Sequence, residues 1–427
     1  MSSSQFPLLK TRRFLPLFLT QFWGAFNDNA FKSTMAVLIT YELITNISHA
    51  QLLVNLGGGV FILPFFLLST LAGELSDKYD RALLVRILKL LEILFMALGL
   101  LGFYLGNVAI LMVTLFLMGV HSTFFGPIKY SALPDLLQPH ELLAGNGLVE
   151  GSTFIAILIG TILGTQLGVT RTGALLASSI CIGVAVLGWI SSLFVPRVPL
   201  GDPGLKIHAN IFKAIWRLVR FTAENRPVYL SILAMSWFWF MGFIFITQFP
   251  VYSRAIIGGD EHVVTLFLVM FSVGIAVGSL LCNQFLRGTV HARYVPICML
   301  LMTVFTLDLC WASHGQVPLL PHGGGVMAFL SGLTGWRIAL DLFLLSVAGG
   351  FYIVPLYALM QVKSSAAHRS RIVSCNNIIG ALFMFAAALM AMGLTEIGFS
   401  SVQLFLVIGI ANALVAFYAW KKLLQIV

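Results

Sequence analysis

Long apolar runs separated by short polar breaks fill almost the whole chain. A helix that crosses a bilayer needs about 20 mostly apolar residues, and twelve runs answer to that length: 14–44, 51–73, 83–105, 107–130, 142–168, 173–195, 227–250, 262–286, 294–312, 334–360, 371–394 and 398–420. The one long hydrophilic break lies between the sixth and seventh runs, from Pro196 to Arg226. It divides the chain into an N-terminal six-helix bundle over 1–195, a basic linker over 196–226 and a C-terminal six-helix bundle over 227–427. Within the linker Ile211, Ile215, Leu218 and Phe221 recur at helical spacing while Lys213, Arg217 and Arg220 take the other side. That pattern predicts an amphipathic helix lying on a membrane surface.

Composition turns this pattern into a membrane protein. The 427 residues are 59% apolar and 10% charged, with a mean hydropathy of +0.96. Soluble chains carry roughly a quarter charged residues, so a soluble globule is excluded. The formal charge of +9 would suggest a nucleic-acid partner in a soluble protein, and the placement of the cations removes that reading. With a cytoplasmic N-terminus, Arg171, Arg254 and Arg337 fall outside and Lys32 and Lys89 within spans, so 20 of the 25 Lys and Arg residues face the cytoplasm. An even span count puts both termini on that side, beside the anionic lipids that attract basic segments. Lys10, Arg12 and Arg13 precede an apolar stretch that runs on through Phe22, Trp23, Phe26, Phe31 and Met35, too long for a secretory signal, so it reads as an uncleaved first helix. The five cysteines, at 181, 282, 298, 310 and 375, show no metal-ligand spacing and read as packing residues.

The two halves repeat each other in part. Pro127-Ile128-Lys129-Tyr130 is followed 19 residues after its proline by Asn146, and Pro355-Leu356-Tyr357 is followed 21 residues after its proline by Asn376. Internal repeats related by an axis along the membrane normal characterise one class of transporter.

Ionisable residues inside a span are costly, and they face the bundle interior or a wet cavity. Asp28 and Lys32 stand four apart on one helical face, which allows either a self-satisfied ion pair or a functional site. Asn27 and Asn29 flank Asp28 and weaken the helix there, which favours function. A second group is Lys129, Tyr130, Asn146 and Glu150, with Asn146 and Glu150 on one face. It reads equally as a phosphate and headgroup contact or as a gate in which Lys129 and Glu150 close the N-half onto itself. Lys89 and Glu92 are three apart and suggest a structural pair, Arg337 and Asp341 an outer pair; Asp308 is ambiguous, and His121 reads as hydrogen-bonded packing. No nucleotide-binding loop, zinc-protease or nucleophile-elbow motif occurs, so neither an enzyme nor an ATP-driven pump is expected, and no cofactor or metal site.

Between the second and third runs, Gly73-Glu74-Leu75-Ser76-Asp77-Lys78-Tyr79-Asp80-Arg81 packs five charges into nine residues and reads as a charged hinge. It resembles the signature loop of major facilitator superfamily transporters at Gly73, Leu75, Ser76, Asp77, Lys78 and Arg81, with Asp80 where that family usually has Gly. The corresponding segment of the second half, Asn283-Gln284-Phe285-Leu286-Arg287, keeps a basic residue and no Asp. Further matches, Ala25-Phe26-Asn27-Asp28-Asn29-Ala30, Pro127-Ile128-Lys129-Tyr130 and Leu143-Ala144-Gly145-Asn146-Gly147-Leu148-Val149-Glu150, resemble the bacterial lysophospholipid transporter branch of that superfamily.

The resemblance implies an all-α membrane protein of twelve transmembrane helices in two halves, the major facilitator fold. It implies movement of lysophospholipids such as lysophosphatidylethanolamine from the outer to the inner leaflet of the bacterial cytoplasmic membrane. An acyltransferase and acyl-carrier-protein synthetase would re-acylate them there, acting in trans because the chain stops just after its twelfth span. Asp28, Asn29, Lys129, Tyr130, Asn146 and Glu150 become the expected substrate contacts, and Asp77, Lys78 and Arg81 an expected latch of the cytoplasmic face. A proton-coupled exporter of drugs or siderophores is the alternative; such antiporters often carry an Arg in the fourth helix and Gly-Pro in the fifth, and this chain has neither.

Overall fold

Most of the polar breaks act as helix caps. Asn46, Asp80, Asn107, Thr170, Asn210, Asn225 and Asp260 each accept a hydrogen bond from a backbone N–H in the first turn that follows, from 2.9 Å at Asp80 to 3.5 Å at Asn225. Short polar side chains at that position satisfy donors that the helix itself leaves free. The structure is a computed structural model that describes residues 5–208, 210–290, 292–314, 318–320 and 323–423; the end of the chain at 424–427 lies outside the described residues.

The N-half comprises α1 (Leu15–Leu38), α2 (Ile47–Leu67), α3 (Ser69–Lys78), α4 (Arg81–Leu105), α5 (Val108–Leu136), α6 (Leu142–Leu167) and α7 (Arg171–Leu193). The linker holds α8 (Ile211–Glu224). The C-half comprises α9 (Arg226–Tyr252), α10 (Glu261–Leu286), α11 (Val295–Ala312), the short α12 (Val326–Leu330), α13 (Leu333–Val362), α14 (Arg369–Glu396) and α15 (Ser401–Leu423). Among the described residues ten helices are long and apolar enough to cross a membrane. The other two of the twelve expected, α1 and α4, have 24 and 25 residues but carry Asp28, Lys32, Lys89 and Glu92, the groups that the interior shelters.

Three departures from the expected spans matter. The second span is split at Leu68, one turn after Pro64, whose missing N–H removes a rung of the helix. The charged segment expected as a loop is mostly helical: α3 runs to Lys78, and only Tyr79 and Asp80 separate it from α4. Helix α5 continues past Pro127 and Pro134 to Leu136, so Lys129 and Tyr130 sit within it.

Within the N-half α1 packs on α6 and α7, and α4 on α5 and α7; in the C-half α13 packs on α10 and α11, and α9 on α14. The halves meet at the end of the bundle where α1 begins and α14 begins. There α3 and α5 pack against α14, α5 and α6 against α13, and α6 against α10. A side chain at Gly147 would put its Cβ 2.5 Å from the Ser279 carbonyl oxygen, and one at Gly73 would lie 2.9 Å from Arg371 Cα, so glycine lets the backbones of opposite halves touch. Farther along, Phe154 of α6 still reaches Phe238 and Trp239 of α9, after which α6 turns Gly160 and Gly164 to the backbone of α1 instead. The bundle is therefore closed at the end where α1 and α14 begin and parts toward the other.

Candidate functional site

The interior of the N-half carries two groups of polar side chains, on α1, α4 and α5. Asp28 of α1 accepts a hydrogen bond from the Ser122 hydroxyl of α5 at 2.5 Å, and its other carboxylate oxygen has no partner. The Asp28–Lys32 pair that the spacing allowed does not form. Among the described residues no carboxylate lies within 4 Å of Lys32, whose ammonium sits 5.5 Å from the Phe61 ring centre of α2. Asn29 donates to the Ala25 carbonyl of its own helix at 2.8 Å. It is Asn27, on the other side, that reaches out, donating to Glu92 of α4 at 2.8 Å. Glu92 also holds the Lys89 ammonium at 2.6 Å, and His121 of α5 stands 3.5 Å from the same oxygen. Lys89, Glu92, Asn27 and His121 are thus one buried network behind Asp28. The Lys89–Glu92 pair follows from its spacing; His121 and Asn27 were not assigned to it by sequence.

One turn and more below Ser122 on the same face of α5 lie Gly126 and Lys129. The Lys129 ammonium lies 4.4 Å from the centre of the Tyr130 ring, and no carboxylate among the described residues is within 4 Å of it. Glu150 instead accepts a hydrogen bond from the Tyr130 hydroxyl, so the direct Lys129–Glu150 closure is replaced by Tyr130–Glu150. Tyr130 stacks on Tyr357 of α13 with ring centres 4.3 Å apart and planes 4° apart. Asn146 donates to Gln361 of α13 at 2.6 Å, and Gln361 returns bonds to Asn146 at 3.1 Å and to the Tyr130 carbonyl at 3.0 Å. Tyr130, Asn146 and Glu150 therefore form a buried floor joining the two halves, and Asp28, Ser122, Lys32 and Lys129 remain partly exposed above it.

Beneath the floor is a second layer. The Asp77 carboxylate, fully buried, accepts from the backbone N–H groups of Ser370 and Arg371 at 3.0 and 3.3 Å, and from Arg371 Nε at 3.0 Å. An acid at the first turn of α14 answers both the free donors and the dipole of that helix. Arg81 spans from Asp77 (3.4 Å) to Asp135 (2.7 Å), and Asp135 pairs with Arg369 of α14 at 2.9 Å. Ser76, Ser370 and Ser131 link α3, α14 and α5 through hydroxyls 2.9 Å apart. The linker joins in: Asp202 pairs with Arg371 at 3.2 Å and its N–H donates to the Asp77 carbonyl at 2.8 Å. Lys78 stands outside, 5.8 Å from the centre of the Tyr79 ring.

Comparison with known proteins fits this architecture. The chain matches the Major Facilitator Superfamily over residues 17–388. The protein belongs to the major facilitator superfamily. As a member of that superfamily it is a multi-pass membrane transporter with the all-α fold expected. It is similar to the lysophospholipid transporter LplT of Serratia proteamaculans, 27% identical over 372 residues that cover 84% of this chain and 81% of the relative. Among solved structures, the human organic anion transporter MFSD10 superposes with a TM-score of 0.77 at 14% identity, covering 96% of this chain and 99% of that one. An outward-facing bacterial homologue of the iron transporter ferroportin superposes with a TM-score of 0.70 at 15% identity, covering 97% and 100%.

In this superfamily member the opposite end of the C-half departs from its sequence reading. Arg337 bonds Asp308 of α11 through Nε at 2.9 Å, so the expected Arg337–Asp341 pair gives way to a contact between helices. Asp341, one turn along α13, keeps a carboxylate oxygen without a partner. Linker helix α8 does present Lys213, Arg217 and Arg220 away from Leu218, but Phe212 and Trp216 are also exposed, at 68% and 70%. They widen the apolar face beyond the residues that the periodicity picked out.

Proposed function

We propose that this transporter moves lysophospholipids, such as lysophosphatidylethanolamine, from the outer to the inner leaflet of a bacterial cytoplasmic membrane by alternating access. Both termini face the cytoplasm in this reading, and the acyltransferase and acyl-carrier-protein synthetase that re-acylate the product act as separate partners. One observation carries it: among the described residues Lys32, Lys129 and Asp28 share an interior wall and have no ion-pair partner within 4 Å, whereas Asp77, Arg81, Lys89 and Glu92 are each held in a close pair. Unpaired charges in a membrane interior are costly unless a ligand completes them. A zwitterionic head fits that set, its phosphate facing the lysine ammoniums and its amine facing Asp28. The similarity to lysophospholipid transporters supports the same substrate.

The acyl tail needs an apolar route, and the flank of α2 supports one. Leu52, Leu56 and Leu63 of α2 and Leu382, Phe385 and Leu389 of α14 are exposed at 46% or more. Below Leu68 the same seam is shut, since α3 is packed on α14. A head in the interior and a tail between α2 and α14 would thus be held together above the Tyr130–Tyr357 floor.

Transport of labelled lysophosphatidylethanolamine by the full chain in proteoliposomes tests the reading. Lys129→Met and Asp28→Asn should each lower the rate at least roughly tenfold, the scale on which losing one charged hydrogen bond acts. Gradient-driven efflux of unrelated amphiphiles with no lysolipid movement would instead make the protein an exporter.

A further inference from the structure

The C-half wall that faces the unpaired charges is uncharged, and its polar atoms are unfilled. Asn376 and Asn377 of α14 leave a carbonyl oxygen and an amide nitrogen, respectively, without hydrogen-bond partners, and so does the Ser236 hydroxyl of α9. Asn376 is 5% exposed and Ser236 fully buried. Buried side-chain polar atoms are nearly always satisfied in folded proteins, so vacant ones gathered on adjacent helices mark a place where something else binds.

Their position is specific. A side chain at Gly126 would bring its Cβ 3.1 Å from the Asn377 amide nitrogen. Gly126 lies four residues after Ser122, which holds Asp28, and three before Lys129 on the same helical stripe. Asn377 thus faces the midpoint of the charged wall. Asn376 approaches the Tyr357 hydroxyl, at the floor. The repeat makes the vacancy clearer: Asn146, its counterpart in the N-half, is satisfied by Leu142 and Gln361.

We infer that Asn376 and Asn377 form a hydroxyl-reading wall that accepts the free glycerol hydroxyl distinguishing a lysophospholipid from a diacyl phospholipid. The inference rests on the function proposed above and deepens it. Neutral amides hydrogen-bond a charged headgroup without neutralising it, and the opposite wall supplies the opposing charges. A vacant acceptor and a vacant donor on successive residues of α14 match the two roles of a hydroxyl, which both donates and accepts. A second acyl ester at the same carbon, or a methyl ether, offers no donor and strands the Asn376 carbonyl oxygen. Sites built to bond a hydroxyl reject the analogue that lacks it far more strongly than apolar pockets reject an extra group.

The experiment compares a labelled lysophospholipid with its methyl ether at the free hydroxyl, using the full chain in proteoliposomes. Wild-type protein should move the parent at least roughly tenfold faster. Asn376→Ala and Asn377→Ala should bring that ratio toward one, mainly by slowing the parent. Unchanged melting in detergent identifies the variants as folded. Equal wild-type rates for the two lipids would overturn the hydroxyl wall and leave lysolipid transport standing. No movement of either lipid would overturn both. Folded alanine variants that keep the wild-type ratio would remove these two amides from the recognition of the hydroxyl.

Discussion

Glu92 holds more of the N-half interior together than its place in a span suggests. It meets Lys89, Asn27 and, at longer range, His121, and so ties α4 to α1 and α5. Removing one partner of a buried pair leaves an uncompensated charge, at about 3–5 kcal/mol, whereas replacing both with apolar groups of like volume is often neutral. Glu92→Gln should therefore lower the unfolding midpoint in detergent strongly, and Lys89→Met added to it should restore most of the loss. A Glu92→Gln protein that melts with the wild type would mean that the pair is not structural. The network was half legible in the sequence. Spacing along one helix gives Lys89–Glu92, but Asn27 and His121 join from α1 and α5, and no periodicity relates separate helices. The usable signal was that each is a polar residue in a span with no partner on its own helix. Lys129 shows the converse, since the acid that the sequence reading offered it, Glu150, is taken by Tyr130.

At the scale of elements, the apolar runs located all twelve long helices because bilayer thickness fixes their length. The charged segment from Gly73 to Arg81, which we propose as a latch, was legible as a charged junction between helices and not in its shape. Its helical turns persist because α3 docks on α14 through Gly73, and its partners Arg369 and Arg371 lie almost 300 residues away in the chain. A bulky residue at Gly73 must push α14 away, since Arg371 Cα leaves no space. Asp77→Ala removes the acceptor for four donors on Arg81, Ser370 and Arg371. In spin-labelled protein with probes on exposed His140 and Lys363, both Gly73→Leu and Asp77→Ala should shift the distance distribution to longer values. Distributions that match the parent in both variants would rule out a latch at α3 and α14. The five native cysteines are buried, which keeps them from competing for the label.

The whole molecule is shut at one end by more than helix contacts. The linker crosses one seam through Asp202 and Arg371, and near the N-terminus Gln5 crosses the other by donating to the Leu280 carbonyl of α10 at 2.9 Å. Under the alternating access proposed above, both braces would have to release together with the Asp77 and Asp135 pairs. None of these cross-chain partners could be read from the sequence, because closure is a property of how the halves dock. The break at Leu68 lets the lower part of the second span stay fixed to α14 while the upper part borders lipid. Its consequence is thermodynamic. Withdrawing a tail from hydrocarbon costs about 0.8 kcal/mol for each methylene, a barrier that would grow steeply with chain length in a sealed chamber. A tail that slides along α2 without leaving the bilayer meets no such increment. Turnover should therefore be nearly independent of acyl length across a homologous lysolipid series, and a rate that falls exponentially with each added methylene would show that the tail is enclosed.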